Sequence, residues 1–215
     1  MKTKFSWMTF VALFAAATLG LNVSAEELAS DEVGGSWYGM AYFGRMTDNR
    51  FHEVLRFHHL ESGDADLYSG EIGYRLHDDN LLVEFADPVL SSINLGVNFT
   101  YQDDPSGAIY QVNPFIMLRW SDFPWNSVIR TTFAVAEGLS YSTHAPATER
   151  DSTDPDSQHK RLLNYVAVEV TFSLPKRKDW ELVYRLHHRS GVFGLFDADN
   201  SGSTALGVGI RHYFK

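Results

Sequence analysis

The sequence predicts an all-β protein: an eight-stranded antiparallel transmembrane β-barrel with a polar interior, preceded by a cleaved signal peptide. Three observations carry that expectation. Apolar and polar residues alternate with period two through much of the chain, as strands with one apolar face require. The alternating segments number eight, and bacterial single-chain barrels have an even strand count. Beyond the N-terminal segment, no apolar run approaches the roughly 20 residues that a membrane helix needs.

The N-terminus reads as a secretory signal. Lys2 and Lys4 form its positive end, a mainly apolar stretch runs from Phe5 to Leu21, and Val23-Ser24-Ala25 fits a small-x-small cleavage site before Glu26-Glu27. Ser6, Thr9, Thr18 and Gly20 interrupt the stretch and no basic stop-transfer flank follows, which favours a cleaved signal over a membrane anchor. Residues 1–25 are thus the expected signal peptide and 26–215 one barrel domain. The formal net charge of −9 becomes −11 once Lys2 and Lys4 leave with the signal. An acidic chain with no basic block excludes nucleic acid as a partner. The absence of cysteine rules out disulfides and thiolate metal sites.

The expected strands are Ser36–Arg45, Leu67–Leu76, Leu95–Gln102, Tyr110–Trp120, Ser127–Glu137, Tyr165–Leu174, Asp179–Ser190 and Thr204–Phe214. The clearest is Tyr165–Leu174, where Val166, Val168, Val170, Phe172 and Leu174 oppose Tyr165, Ala167, Glu169, Thr171 and Ser173. Most segments suit a tilted crossing of roughly 9–11 residues. With the N-terminus periplasmic, connections 47–66, 103–108, 138–160 and 191–203 lie outside, and 77–93, 121–126 and 175–178 inside. Inner turns should be short; 77–93 is not, and Asn80–Ala86 within it is either a strand extension or a surface segment.

A soluble lipocalin-like barrel or sandwich also alternates. Glu71, Arg75, Arg119, Glu169, Glu181, Arg185, Arg189 and Arg211 would then face solvent; in a membrane barrel they point into the lumen. Two features favour the membrane, and with it the bacterial outer membrane. Trp37, Trp120, Trp125, Trp180 and Tyr213 cluster near strand ends, as an interfacial girdle does, and the chain closes on an aromatic strand ending Tyr213-Phe214. An eight-stranded lumen is filled by its own side chains, which disfavours transport.

The segment that suggests chemistry is Trp180–Ser190. Trp180, Leu182, Tyr184, Leu186, His188 and Ser190 share the outward row, while Glu181, Arg185, His187 and Arg189 point inward. Positions i and i+2 lie ~7 Å apart on one face, so their side chains can converge. A His beside a Ser can activate the hydroxyl for acyl transfer, and a lipid-facing location suggests a lipid substrate. Two polar residues at a strand end also serve as plain interfacial groups.

Arg185-Leu186-His187-His188-Arg189-Ser190-Gly191, then Gly194, then Asn200-Ser201-Gly202-Ser203-Thr204, then Gly207-x-Gly209-x-Arg211-x-Tyr213-Phe214, resembles the C-terminal hairpin of the lipid A 3-O-deacylase (PagL-like, acyloxyacyl hydrolase-related) family. That resemblance implies an eight-stranded outer-membrane barrel that removes an ester-linked acyl chain from lipid A with a His-x-Ser pair and an acid. It implies His188 as base, Ser190 as nucleophile, lipid A or lipopolysaccharide as partner, and no cofactor. Two positions depart from the pattern. Gly191 stands where the family commonly has Asn, leaving a backbone N–H for the oxyanion. Thr204 stands at the position of the family's acid, and loss of an orienting acid can cost ~10⁴ in rate.

Asp197 and Asp199, in the same hairpin loop, are the nearest substitute acids. Glu149 would have to reach over the rim. Glu137, read as ending the outward row Ile129, Thr131, Phe133, Val135, stands two strands from Ser190, roughly 9–10 Å away. His52, His58, His59, His187, His188 and His212 show no metal-ligand spacing, so no metal is expected, and the acidic outer loops are explained by solubility. The leading expectation is ester hydrolysis on lipid A; the alternative is a catalytically inactive structural or interaction barrel of the same family. The sequence leaves monomer and homodimer both open.

Overall fold

A computed structural model of the chain describes residues 36–49, 51–56, 60–87, 89–146, 149, 160–191 and 202–214. The expected signal, residues 1–25, lies outside them. Eight antiparallel strands form a closed barrel in sequence order: β1 Ser36–Thr47, β2 Ser62–Arg75, β3 Ser92–Asp104, β4 Gly107–Trp120, β5 Arg130–Ser142, β6 Leu162–Leu174, β7 Arg177–Ser190 and β8 Gly202–Tyr213. Closure comes from β1 against β8, in register from Tyr38↔Tyr213 to Thr47↔Thr204. Two short helices interrupt connections: α1 Phe51–Leu55 after β1, and α2 Leu81–Ala86 after β2.

All eight expected strands are present; most ends differ by one to three residues, and two differ by five. β2 begins at Ser62, where the small residues of Ser62-Gly63-Asp64-Ala65 hide the alternation. β5 runs on to Ser142, so the outward row does not end at Glu137 but continues through Leu139 and Tyr141, both exposed. The segment Asn80–Ala86 is a surface helix rather than a strand extension, with the Asn80 side chain accepting from the Leu82 N–H as an N-cap. Between β3 and β4 the chain reverses through Pro105-Ser106, and Gly107 takes the left-handed φ of 113° that a β-carbon would oppose.

The faces sort as a membrane requires. Phe43, Tyr68, Ile72, Leu95, Phe99, Ile116 and Ile210 are exposed on the outer wall, while Glu71, Glu169, Arg185 and Arg211 are buried within. Only lipid suits such an outer surface around a charged core. Both barrel termini, Ser36 and Tyr213, mark the periplasmic end, since most of the long connections leave from the opposite end. Trp37, Trp125 and Trp180 are exposed at that end, as a girdle requires. Tyr213 departs from the expectation: it shares the inward parity of Arg211 and its ring meets that of Tyr38 at 5.4 Å.

The lumen holds a charge-balanced chain. Arg185 pairs with Glu71 at 2.6 Å and with Glu169. Arg211 pairs with Glu169 and Glu181, both at 2.8 Å, and Arg119 with Glu181 at 2.6 Å. Tyr38 adds a hydroxyl on Glu71 at 3.1 Å and an aromatic face 4.8 Å from the Arg211 guanidinium. Further out, Asn98, Thr100, Asn113, Gln102, Gln111 and Asp104 bond to one another across β3 and β4. Arg75 is the exception among the expected lumen charges, sitting partly exposed at the rim beside Asp78.

Removing one partner of a buried ion pair strands the other, at about 3–5 kcal/mol. Glu169→Gln, which takes one carboxylate from each of Arg185 and Arg211 and leaves them Glu71 and Glu181, should cost that much in urea unfolding from phospholipid vesicles. Seam packing gives a second test. A Cβ on Gly207 would meet Phe43 O at 1.9 Å, whereas one on Gly70 would meet nothing within 4 Å. Gly207→Ala should destabilise by about 1–3 kcal/mol, and Gly70→Ala should stay within about 0.5 kcal/mol of the parent.

Candidate functional site

The outer ends of β6, β7 and β8 stand in fixed register. Ser190 faces Asn164 on one side and Gly202 on the other; one step inward, His188 faces Val166 and Thr204. Strand parity therefore brings His188, Ser190 and Thr204 onto the outer wall together. The His188 Nδ1 lies 3.0 Å from the Ser203 carbonyl oxygen and 2.9 Å from Thr204 Oγ1. A carbonyl only accepts, so Nδ1 carries the proton and Nε2 the lone pair. Nε2 has no hydrogen-bond partner among the described residues.

Two neighbours shape the space around this ring. Phe51 of α1 stacks on the imidazole with centroids 4.4 Å apart, so His188 is covered by a loop helix rather than open to lipid as its row position implies. Opposite Ser190, Gly202 is closely packed: a Cβ there would lie 3.4 Å from His188 Cε1 and 3.0 Å from Arg189 O. Gly191 is buried directly after β7. Asp197 and Asp199 lie outside the described residues.

The two other candidate acids are engaged elsewhere. Glu149 lies inside the outer mouth, where Arg189 Nη1 donates to both its oxygens at 2.9 and 3.1 Å and Ser203 Oγ donates at 2.6 Å. Burial pushes its carboxyl above the usual range, while Arg189 and Ser203 oppose that shift. Arg189 is held further by Ser140 and Ser142 at 2.8 and 3.1 Å. Glu149 thus reaches the imidazole only through Ser203, whose side chain it holds from within while the Ser203 carbonyl accepts from His188 on the wall. Glu137 stays on the outer wall and accepts from the Asn164 amide, which also donates to Gly138 O at 3.1 Å.

Asn164 is the residue that sequence reading missed. It occupies the outward row of β6 directly opposite Ser190, between that hydroxyl and Glu137. The expected strand begins one residue later, at Tyr165, and nothing short of the β6–β7 register could show what Asn164 faces. Among the described residues no carboxylate touches His188.

No protein-family model and no curated protein matches the chain. Among solved structures, the barrel is similar to the outer membrane enzyme PagL, with a TM-score of 0.52 and 8% identity over 81% of this chain and 98% of that one. It also aligns with Neisserial surface protein A (TM-score 0.48, 14% identity, 84% and 99% covered). The N-terminal β-barrel domain of Pseudomonas aeruginosa OprF gives a TM-score of 0.45 at 15% identity, with 84% and 99% covered. At such identities the likeness is one of fold. The protein is an eight-stranded barrel of the bacterial outer membrane.

The stacked ring yields a prediction. An aromatic pair contributes about 0.5–1.5 kcal/mol beyond its area, so Phe51→Ala should uncover the imidazole without unfolding the barrel. Carbethoxylation of His188, followed by peptide mass mapping in detergent micelles, should proceed several-fold faster in that variant.

Proposed function

We propose that this barrel is a serine esterase of the outer membrane, exported by way of residues 1–25, that removes an ester-linked acyl chain from lipid A. The observation that carries the reading is the His188 ring, fixed through Nδ1 on the outer wall, its Nε2 without a partner among the described residues and Ser190 two residues further on the same face. In this scheme Ser190 Oγ attacks the ester carbonyl as its proton passes to Nε2. Backbone N–H groups near Gly191 stabilise the oxyanion. The leaving alkoxide takes the proton from His188, and water then releases the fatty acid from the acyl-serine by the same base. The acyl chain enters laterally from the outer leaflet.

The Ser203 carbonyl fixes the tautomer as a carboxylate would, but it holds no charge against imidazolium. Slow turnover follows. Thr204→Asp would put a carboxylate within reach of Nδ1 and should raise the rate towards the ~10⁴ that an orienting acid is worth.

A second reading has its own observation: with neutral partners on His188, the chain is a structural or interaction barrel that kept the hairpin without the chemistry. Mass spectrometry of lipid A from cells expressing the parent, Ser190→Ala and Thr204→Asp decides between them. Loss of one hydroxyacyl chain that depends on Ser190 is the expected outcome. Unchanged lipid A in all three, with the barrel inserted, would sink the deacylase reading in favour of the structural one.

A further inference from the structure

The helix α2 packs on the outside of the barrel, not across its mouth. Val83 joins Leu76 and Ile93 in an apolar cluster, with Ala86, Leu90, Tyr74 and Leu118 against it. Tyr74, Leu76, Ile93 and Leu118 belong by parity to the outward rows of β2, β3 and β4, so the helix covers wall that would otherwise meet lipid.

Its remaining surface divides in two. At about 3.6 residues per turn, Leu81, Leu82 and Phe85 share one flank, while Glu84 and Asp87 occupy the far one. Leu81 is 80% exposed and Phe85 91%. An apolar flank left open beside an apolar flank that is packed leaves only a narrow polar side for water. Such a helix is suited to an interface plane and not to bulk solvent. The level agrees: the Trp37 ring lies 5.2 Å from that of Tyr74, so α2 sits at the height of the periplasmic aromatic girdle.

The apolar surface does not end at the helix. Beyond Val89, which is itself exposed, a cleft of about 520 Å³ opens between Ser91, Trp120, Asp122, Phe123 and Phe133. Trp120 and Phe133 are outward residues, so this cleft is continuous with the barrel–bilayer surface.

We propose that α2 and the adjoining cleft form a phospholipid site in the inner leaflet, with Leu81, Leu82 and Phe85 immersed among acyl chains and one chain lying past Val89 against Trp120 and Phe133. The occupant is lipid because the patch continues the lipid-facing wall at girdle height, with Glu84 and Asp87 turned to the periplasm. The site is independent of the chemistry assigned to Ser190.

The absence of cysteine allows a single spin label at Phe85→Cys, with Asp79→Cys as the aqueous reference in the same connection; both positions are exposed. In proteoliposomes of phosphatidylethanolamine and phosphatidylglycerol, the label at 85 should relax with oxygen and resist a water-soluble nickel chelate, and that at 79 should do the reverse. Doxyl-labelled acyl chains should broaden the signal at 85 alone. A label at 85 as open to nickel as that at 79 would overturn the proposal and make α2 a periplasmic docking face. Leu82→Cys repeats the test one position away on the same flank.

Discussion

The chain Glu71–Arg185–Glu169–Arg211–Glu181–Arg119 is the constraint on which the rest of the molecule depends. A barrel of this size has no room for water to solvate ions at its centre, so each buried charge needs an opposite partner. The network draws on β2, β4, β6, β7 and β8, and therefore ties strands that are not neighbours. It sets the lumen-facing parity of each strand it touches. The opposite parity then becomes lipid-facing, and with it His188 and Ser190. The placement of the candidate catalytic pair on the wall is thus a consequence of where the arginines must go.

The same logic explains which parts of the structure the sequence made legible. Tyr165–Leu174 was readable because its outward row is unbroken Val and Phe and its inward row carries Glu169. The extension of β5 was not, because Glu137, a charge on the lipid side, looks like an end, and Gly138 directly after it has no side chain to mark the inward row. Tyr213 was misplaced because an aromatic near a strand end suits a girdle equally well as a ring in the lumen; its parity with Arg211 decides. α2 was recognised only as an irregularity, since six residues with apolar groups on two flanks match neither a strand nor an ordinary surface helix.

At the site, the motif located His188, Ser190 and Thr204 together, and the β7–β8 register brings His188 and Thr204 into contact. What the imidazole does with its Nδ1 was not readable, because the acceptor is a backbone carbonyl and carries no side-chain signature. Asn164 was hidden because its part depends on a strand register. Glu149 was readable as an acid able to reach over the rim; that Arg189 and Ser203 hold it there has no signature in the linear order of residues.

The distribution of the lumen charges among the strands also bears on how the barrel closes. Without β8, the network retains Glu71, Glu169 and Glu181 but only Arg119 and Arg185, leaving one uncompensated negative charge within it. Arg211 arrives with the last strand and pairs with all three of those carboxylates at once. Zipping β8 onto β1 therefore neutralises the core in the same event that removes the sheet's edges. An open seven-stranded form carries both penalties, exposed edges and an unpaired carboxylate, so the final strand is drawn to its place by charge as well as by backbone pairing.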